Sequence, residues 1–453
     1  MQGGKLKKFC LLLYRLPGNG GTFWKMFRQN WQEVGKMRRF LVIAAACLLL
    51  TGCGQKQVDA MISEPEQNGL LLEQAEITEN APIKLATEWD VYDPSVEEIW
   101  FWIENDSGND VTFGQEYTLE KWLETDGGVQ DWYQVPLQEN VGWESVLYLL
   151  ASGGKQAACC RLSQFAYTFS SGDRLRIVKE VEGQTVAAEF RLEEGAAVSA
   201  ETPYGFGALE ELPERYGAAE AAGSGAVIYT SRGVENGEAV GAFLEKVSLG
   251  IPCQLRTVQD FGEGMPMDID VIYEDGGFLW RMRSGGEVTQ RRLSFLVTDG
   301  TDLFLSDGAD WEFGERFNDK RVFLVPPETG HEWVSKVEAM TQARLTNSAV
   351  RYTLWSEDGS RSVSLLEEDG SIAVFLRLPD GGEKGWTETL PADSGAITAL
   401  SWQEDGTLRL ECETDGGACI LTLHPETGEW TQLMICGLPQ AQAEGWNGGG
   451  KSI

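Results

Sequence analysis

The chain has 453 residues, 42% of them hydrophobic and 10% aromatic, with 16 Trp; this is apolar matter for several cored domains and far above what a disordered polar chain carries. Its formal net charge is minus 33. Residues 1–52 hold nine Lys/Arg and one acidic residue, so the remainder stands at about minus 41, a surface that repels phosphate backbones and argues against a nucleic-acid partner.

Met37-Arg38-Arg39 is a short basic stretch, followed at 40–50 by an uncharged apolar run. That run is eleven residues long, against the roughly 20 that a bilayer-spanning helix needs. It ends in Leu50-Thr51-Gly52-Cys53, which resembles the lipobox of bacterial lipoproteins. The resemblance implies that Cys53 is acylated and becomes the first residue of the mature chain. A thiol is the nucleophile that can take a diacylglycerol, and two or more acyl chains hold a protein firmly where one holds it marginally. The expected address is the extracytoplasmic face of the cell membrane, with the membrane as a partner through the N-terminal lipid. Residues 1–52 are read as the signal-peptide region, with translation expected to start at Met37, because Gln32-Glu33-Val34 is compatible with a ribosome-binding sequence just upstream. Residues 53–80, rich in Glu, Gln and Asn, read as a flexible tether whose one apolar cluster is Leu70-Leu71-Leu72.

From 81 to 194 strand-like segments recur at 83–89, 97–104, 111–116, 132–135, 157–162, 173–181 and 185–192, separated by Gly, Asp and Asn. This spacing predicts an antiparallel sandwich. The strings Ile103-Glu104-Asn105, Phe113-Gly114 with Tyr117-Leu119-Glu120-Lys121, Trp132, and Gly172 with Arg176-Ile177-Val178-Lys179 resemble a bacterial Ig-like domain. That family implies a spacer or binding module and supplies no catalytic residues. Trp100 with Trp102, and Trp132 with Tyr133, are candidates for a glycan platform, although large aromatics more often fill a sandwich core. Cys159 and Cys160, adjacent on a strand, face opposite sides and cannot both point inward.

From 201 to 327 the texture turns to mixed α/β. Residues 213–222 and 238–248 read as helices, the second with Val240, Phe243, Leu244 and Val247 on one stripe, and strands are expected at 226–230, 254–261, 268–273 and 278–283. The strings Ala226-Val227-Ile228-Tyr229, Phe243-Leu244-Glu245-Lys246-Val247 and Asp268-Ile269-Asp270-Val271-Ile272-Tyr273 resemble a family of lipoprotein domains that carries no known activity.

Residues 331–436 read as β again, and here the pattern predicts register. Placing Asp415-Gly416 at a hairpin tip pairs Cys412 with Cys419, Leu410 with Leu421 and Leu408 with Leu423. Tips at Asp358-Gly359 and Asp369-Gly370 pair Leu354 with Val363, Tyr352 with Leu365, Leu365 with Val374 and Val363 with Leu376. The repeated strings Pro327-Glu328-Thr329-Gly330 and Pro425-Glu426-Thr427-Gly428 hint at a degenerate repeat, and 437–453 reads as a disordered tail. The expected architecture is mainly β and multidomain: an N-terminal Ig-like antiparallel sandwich, a central mixed α/β domain and a C-terminal antiparallel β-meander.

Chemistry-bearing residues are few. The two histidines, His331 and His424, sit at Pro-Glu-Thr-Gly turns, and Ser335 stands where a second zinc ligand would be needed after His331. The cysteines show no C-x-x-C spacing. No metal, cofactor or catalytic residue is therefore expected, and the chain reads as a noncatalytic binding or spacer module with an envelope protein or glycan as partner. The alternatives are an envelope hydrolase using carboxylates of the α/β domain and an accessory sensory lipoprotein. Cys412 and Cys419 form a candidate disulfide, since directly opposed strand residues fall within the Cα separation of roughly 4.4–6.8 Å that a bridge tolerates.

Overall fold

The computed structural model describes residues 75–124, 130–213, 216–262, 266–317, 319–368, 371–379, 382–389, 394–414 and 417–436. The expected signal region with Leu50, Thr51, Gly52 and Cys53, the expected tether 53–80 as far as 74, the expected tail from 437, and the tips Asp369-Gly370 and Asp415-Gly416 lie outside the described residues.

The first module is a sandwich built by strict alternation. Along Glu98–Asn105 the residues Ile99, Phe101 and Ile103 are buried while their neighbours are half-buried on the outside. This strand is central in a three-stranded antiparallel sheet, between Ile83–Thr87 and Lys155–Arg161. Facing it is a five-stranded sheet in the order Val91–Tyr92, Gln184–Leu192, Arg174–Val181, Thr118–Glu124, Gln130–Gln134. Phe101 and Ile99 from one side meet Leu119, Leu175, Ile177 and Phe190 from the other. All seven expected strands are present, together with three that alternation did not reveal: Val91–Tyr92, Thr118–Glu124 and Tyr148–Leu150. Thr118–Glu124 escapes notice because Glu120 interrupts its apolar pattern; that carboxylate is buried, with Arg176 Nε donating to it at 2.7 Å. The sandwich departs from pure antiparallel pairing at one edge, where Val91–Tyr92 runs parallel to Gln184–Leu192. Asn105, fully buried, explains its place in the Ig-like string: its Nδ2 donates to the carbonyls of Asn109 and Leu150 and its Oδ1 accepts from Ser107, pinning a turn against a neighbouring strand.

The central region is a six-stranded sheet ordered Gly233–Glu235, Val227–Thr230, Cys253–Asp260, Met267–Glu274, Gly277–Ser284, Glu287–Leu293. Val227–Thr230 and Cys253–Asp260 run parallel, joined by the helix Glu238–Leu249 as a βαβ crossover. The helix buries Val240, Phe243, Leu244 and Val247, the predicted stripe, against Leu255, Ile269 and Val271. The expected helix at 213–222 is shorter, Ala218–Ala222, since Gly217 is extended. The opposite sheet face carries charge. Arg256 opposes Asp270 and Asp268 opposes Arg283 across neighbouring strands, and the segment 206–213 lies over them, its carbonyls at Gly207, Leu212 and Pro213 accepting hydrogen bonds from the two arginines.

The β character expected from His331 sets in only at Val350, because Val334–Asn347 is an α-helix. Val334, Val337 and Thr341 recur at helical spacing and are buried, and the two valines belong to the central core. Polar residues between them dilute the stripe, which is why the sequence pattern hid it. A further three-stranded sheet, Phe295–Thr298, Leu303–Ser306 and Val322–Phe323, packs under this helix.

Instead of one meander, the C-terminal part forms two four-stranded antiparallel sheets. The first is Val350–Trp355, Ser362–Glu368, Ser371–Arg377, Glu383–Thr389; the second is Ser394–Trp402, Leu408–Thr414, Gly417–His424, Glu429–Cys436. Every register derived from the three tips holds, including Leu354 with Val363, Val363 with Leu376, and Leu410 with Leu421. Both sheets bury their apolar faces in one core with Phe317, so neither is complete alone.

Candidate functional site

Alternation that puts Tyr352, Val363, Leu365, Val374 and Leu376 into the shared core turns the opposite face of the first C-terminal sheet toward the central region, where Thr353 and Ser362 are buried. On that face Thr353 stands across from Ser364 with hydroxyl oxygens 3.0 Å apart, Trp355 across from Ser362, and Phe375 beside Ser364. Gly385, opposite Phe375, leaves room for the ring: a Cβ there would stand 3.0 Å from it. This floor faces the 275–277 turn, Ser294, Phe295 and the end of the helix Val334–Asn347, and the two sides enclose a cleft of about 350 Å³.

Its rim is ionic. Arg377 reaches Asp275 across the opening at 3.7 Å, and Arg292 contacts Glu274 at 3.4 Å while lying over the Trp355 ring. Trp355 is fixed by its Nε1 donating to Ser294 Oγ at 2.9 Å. Arg344, projecting from the helix into the cleft lining, stacks over Phe295 at 4.6 Å and hydrogen-bonds the Ala309 carbonyl. Its Nε is buried without a hydrogen-bond partner, and burial lowers its pKa to about 10. The arrangement offers hydroxyls, aromatic faces and a guanidinium in one concave site, the composition of small-molecule sites generally.

A second electrostatic feature lies where the central and C-terminal regions join, with Thr353 N donating to the Asp307 carbonyl at 2.9 Å. The Asp307 carboxylate is buried; Arg291 approaches Oδ2 at 2.7 Å, Oδ1 has no partner, and burial pushes its pKa up to about 7. Asp319 beside it accepts from Ser306 Oγ and from the Asp307 amide and pairs with Arg321 at 2.8 Å.

The residues singled out from sequence are scattered. Cys412 and Cys419 are buried and directly opposed, with Gln432 Nε2 3.5 Å from Cys419 Sγ. His331 is exposed and His424 half-buried at the end of a strand. Cys160 is buried and Cys159 half-buried, both as free thiols, in the opposed orientation that adjacency dictates. The expectation that Trp100 and Trp102 fill the core fails: Ile99, Phe101 and Ile103 take the inner positions, so both indoles lie on the outer face. Trp132 is buried, but under Arg176 at 4.4 Å and edge-on to Trp122, rather than between the sheets. Among the described residues no cluster of three His, Cys, Asp or Glu side chains is placed to hold a metal ion, and no helix is long and apolar enough to cross a membrane. Nothing in the sequence pointed to the cleft, whose residues come from six separated segments; the nearest signal was the small hydroxyl residues on strands 350–355 and 362–368.

Fold and site together define a mainly β protein with an Ig-like sandwich at one end of the described chain and a hydroxyl-lined cleft toward the other. Residues 79–191 match the family described as bacterial Ig-like domain, a quarter of the chain. Such a domain marks a surface binding or spacer module. No curated protein matches the chain. Among solved structures, similarity extends to the Pseudomonas fluorescens alkylpurine DNA glycosylase AlkC bound to DNA, at 14% identity over 25% of this chain and 31% of that one, with a TM-score of 0.17. The Bacillus subtilis sporulation control protein Spo0M shows 8% identity over 58% of this chain and 96% of its own, TM-score 0.17. The Pseudomonas aeruginosa periplasmic gluconolactonase PpgL shows 12% identity over 77% and 70%, TM-score 0.15. Scores of this size carry no assignment for the whole chain, and this chain spans less than a third of the glycosylase's length.

Proposed function

We propose that the protein is a noncatalytic, lipid-anchored envelope protein that binds a partner through the cleft and uses the Ig-like sandwich as a support. The observation that carries this reading is the junction between sandwich and central region. Lys246 on the helix Glu238–Leu249 reaches Glu88 at 2.8 Å and lies over the Trp89 ring at 4.7 Å, while Lys155 of the sandwich reaches Glu245 at 2.6 Å. A spacer joined by side-chain pairs, with the linker at 206–213 gripped by Arg256 and Arg283, holds the cleft at a set position instead of letting it swing. The carboxylates with raised pKa, Glu88, Asp268 and Asp307, are each held by a lysine or arginine, at 2.8, 2.8 and 2.7 Å, outside the cleft lining. That placement favours a binding role over the carboxylate hydrolase alternative.

The anchor is tested by growing cells with labelled palmitate and fractionating them. The wild-type chain is expected to take up label and sediment with membranes, and Cys53→Ser to lose both properties. Membrane retention of an unlabelled Cys53→Ser chain would overturn the anchoring.

A further inference from the structure

Arg344, a half-buried residue, lacks what the most deeply buried arginine side chains have. Arg176, Arg256, Arg283 and Arg321 each have a carboxylate at 2.5–2.8 Å. Arg344 forms no ion pair among the described residues; it touches one backbone carbonyl and one ring, and its Nε has no partner. Asp310 is the carboxylate that acts on it, but without contact, so this half-buried guanidinium has no direct ion-pair partner where it lines the cleft, which is costly. On the floor, Ser364 stands beside the Phe375 ring and shares a hydrogen bond with Thr353, and Ser362 lies next along its strand. Hydroxyls that both donate and accept, beside a flat apolar face, match a sugar ring, which presents hydroxyls at its edge and C–H groups on its face.

We infer that the cleft takes a sugar bearing one carboxylate, a uronic acid unit, with its carboxylate on Arg344 and its ring against Phe375. This rests on the reading of the cleft as a binding site. The volume of about 350 Å³ lies at the small end of ligand sites and suits one or two sugar rings. A single guanidinium compensates a single negative charge; Arg377 is already engaged by Asp275, so a phosphate-rich ligand finds no second cation. The acidity of the chain does not forbid the complex, because at physiological ionic strength charges beyond about 8 Å are largely screened. What it disfavours is an extended polyanion laid over the surface outside the cleft.

Isothermal titration of the full chain with digalacturonate, the corresponding neutral disaccharide, acetate and inorganic phosphate tests the inference. Digalacturonate is expected to bind about 10- to 100-fold more tightly than the neutral sugar, the range of one charge-assisted contact. Arg344→Gln should erase that preference, whereas Phe375→Ala should weaken both sugars alike and keep it; thermal melts establish that each variant is folded. Equal affinity for acidic and neutral sugar, phosphate or acetate binding as tightly as digalacturonate, or no binding of either sugar would each overturn it. If acidic and neutral sugars bind equally and Phe375→Ala weakens both, the carboxylate inference falls and the cleft remains a binding site. If neither sugar binds but palmitate labelling succeeds, the ligand class alone is lost.

Discussion

Replacing Arg256 with Met probes the charged face of the central sheet. Arg256 and Asp270 are directly opposed on neighbouring strands, each side chain 2% exposed, with Nε to Oδ1 and Nη2 to Oδ2 both at 2.7 Å. A second hydrogen bond from Nη2 holds the Gly207 carbonyl at 2.6 Å, and the guanidinium lies 4.9 Å from the Phe206 ring. Arg256→Met leaves a carboxylate in the interior without its cation, a loss of about 3–5 kcal/mol, and orphans one carbonyl for about 1 kcal/mol more. The double variant Arg256→Met with Asp270→Leu removes both charges. Because desolvation largely offsets the Coulomb gain of a buried pair, it should stand within about 1–2 kcal/mol of wild type. Urea denaturation of the four members of the cycle, followed by circular dichroism, should therefore return a coupling energy of at least about 2 kcal/mol. If the single variant unfolds within about 1 kcal/mol of wild type, or the double variant is no more stable than the single, the account of this face as a mutually compensated pair is wrong.

Asp307 makes the junction sensitive to pH. Its folded pKa of about 7 stands above the ordinary carboxyl value because burial disfavours the charge, so the stability it contributes is fully present below about pH 4 and is lost as pH rises through 7. The stability of wild type relative to Asp307→Asn should fall by about 4 kcal/mol between pH 4 and pH 8, read from urea midpoints; a pH-independent gap would refute the assignment. Gly241 lies in the helix Glu238–Leu249, where an added Cβ would stand 2.4 Å from the Trp333 ring. Gly241→Ala should therefore destabilise by about 1–3 kcal/mol, despite the gain of about 1 kcal/mol that Ala brings to an open helix, and a raised melting temperature would contradict the contact. An oxidised Cys412–Cys419 bridge, which the proposed extracytoplasmic location would permit, should lower the thiol count of the unfolded, unreduced protein by two and stabilise by about 2–3 kcal/mol. Equal counts before and after reduction would discard it.

Local pattern carried much of the architecture. Cross-strand partners such as Cys412 with Cys419 and Leu354 with Val363 were legible because a hairpin tip sets the count and a two-residue period sets the face, so a slip by one residue would expose every leucine. The stripe of the helix Glu238–Leu249 and the alternation of Glu98–Asn105 were legible for the same reason. The string Leu50-Thr51-Gly52-Cys53, which resembles a lipobox, is local as well.

Thr118–Glu124, the helix Val334–Asn347 and the cleft were decided by partners distant in the chain. Glu120 is tolerated inside a strand only because Arg176, 56 residues away, meets its charge. The helix acquires its buried face from a core assembled by strands that precede it. The cleft exists only where the 275–277 turn approaches the face of a sheet that begins 75 residues later at Val350, and there the half-buried Arg344 has no carboxylate in direct contact among the described residues. Periodicity reports which side of an element leaves water; which group waits on that side is set by packing between elements, and no window of neighbouring residues contains that information.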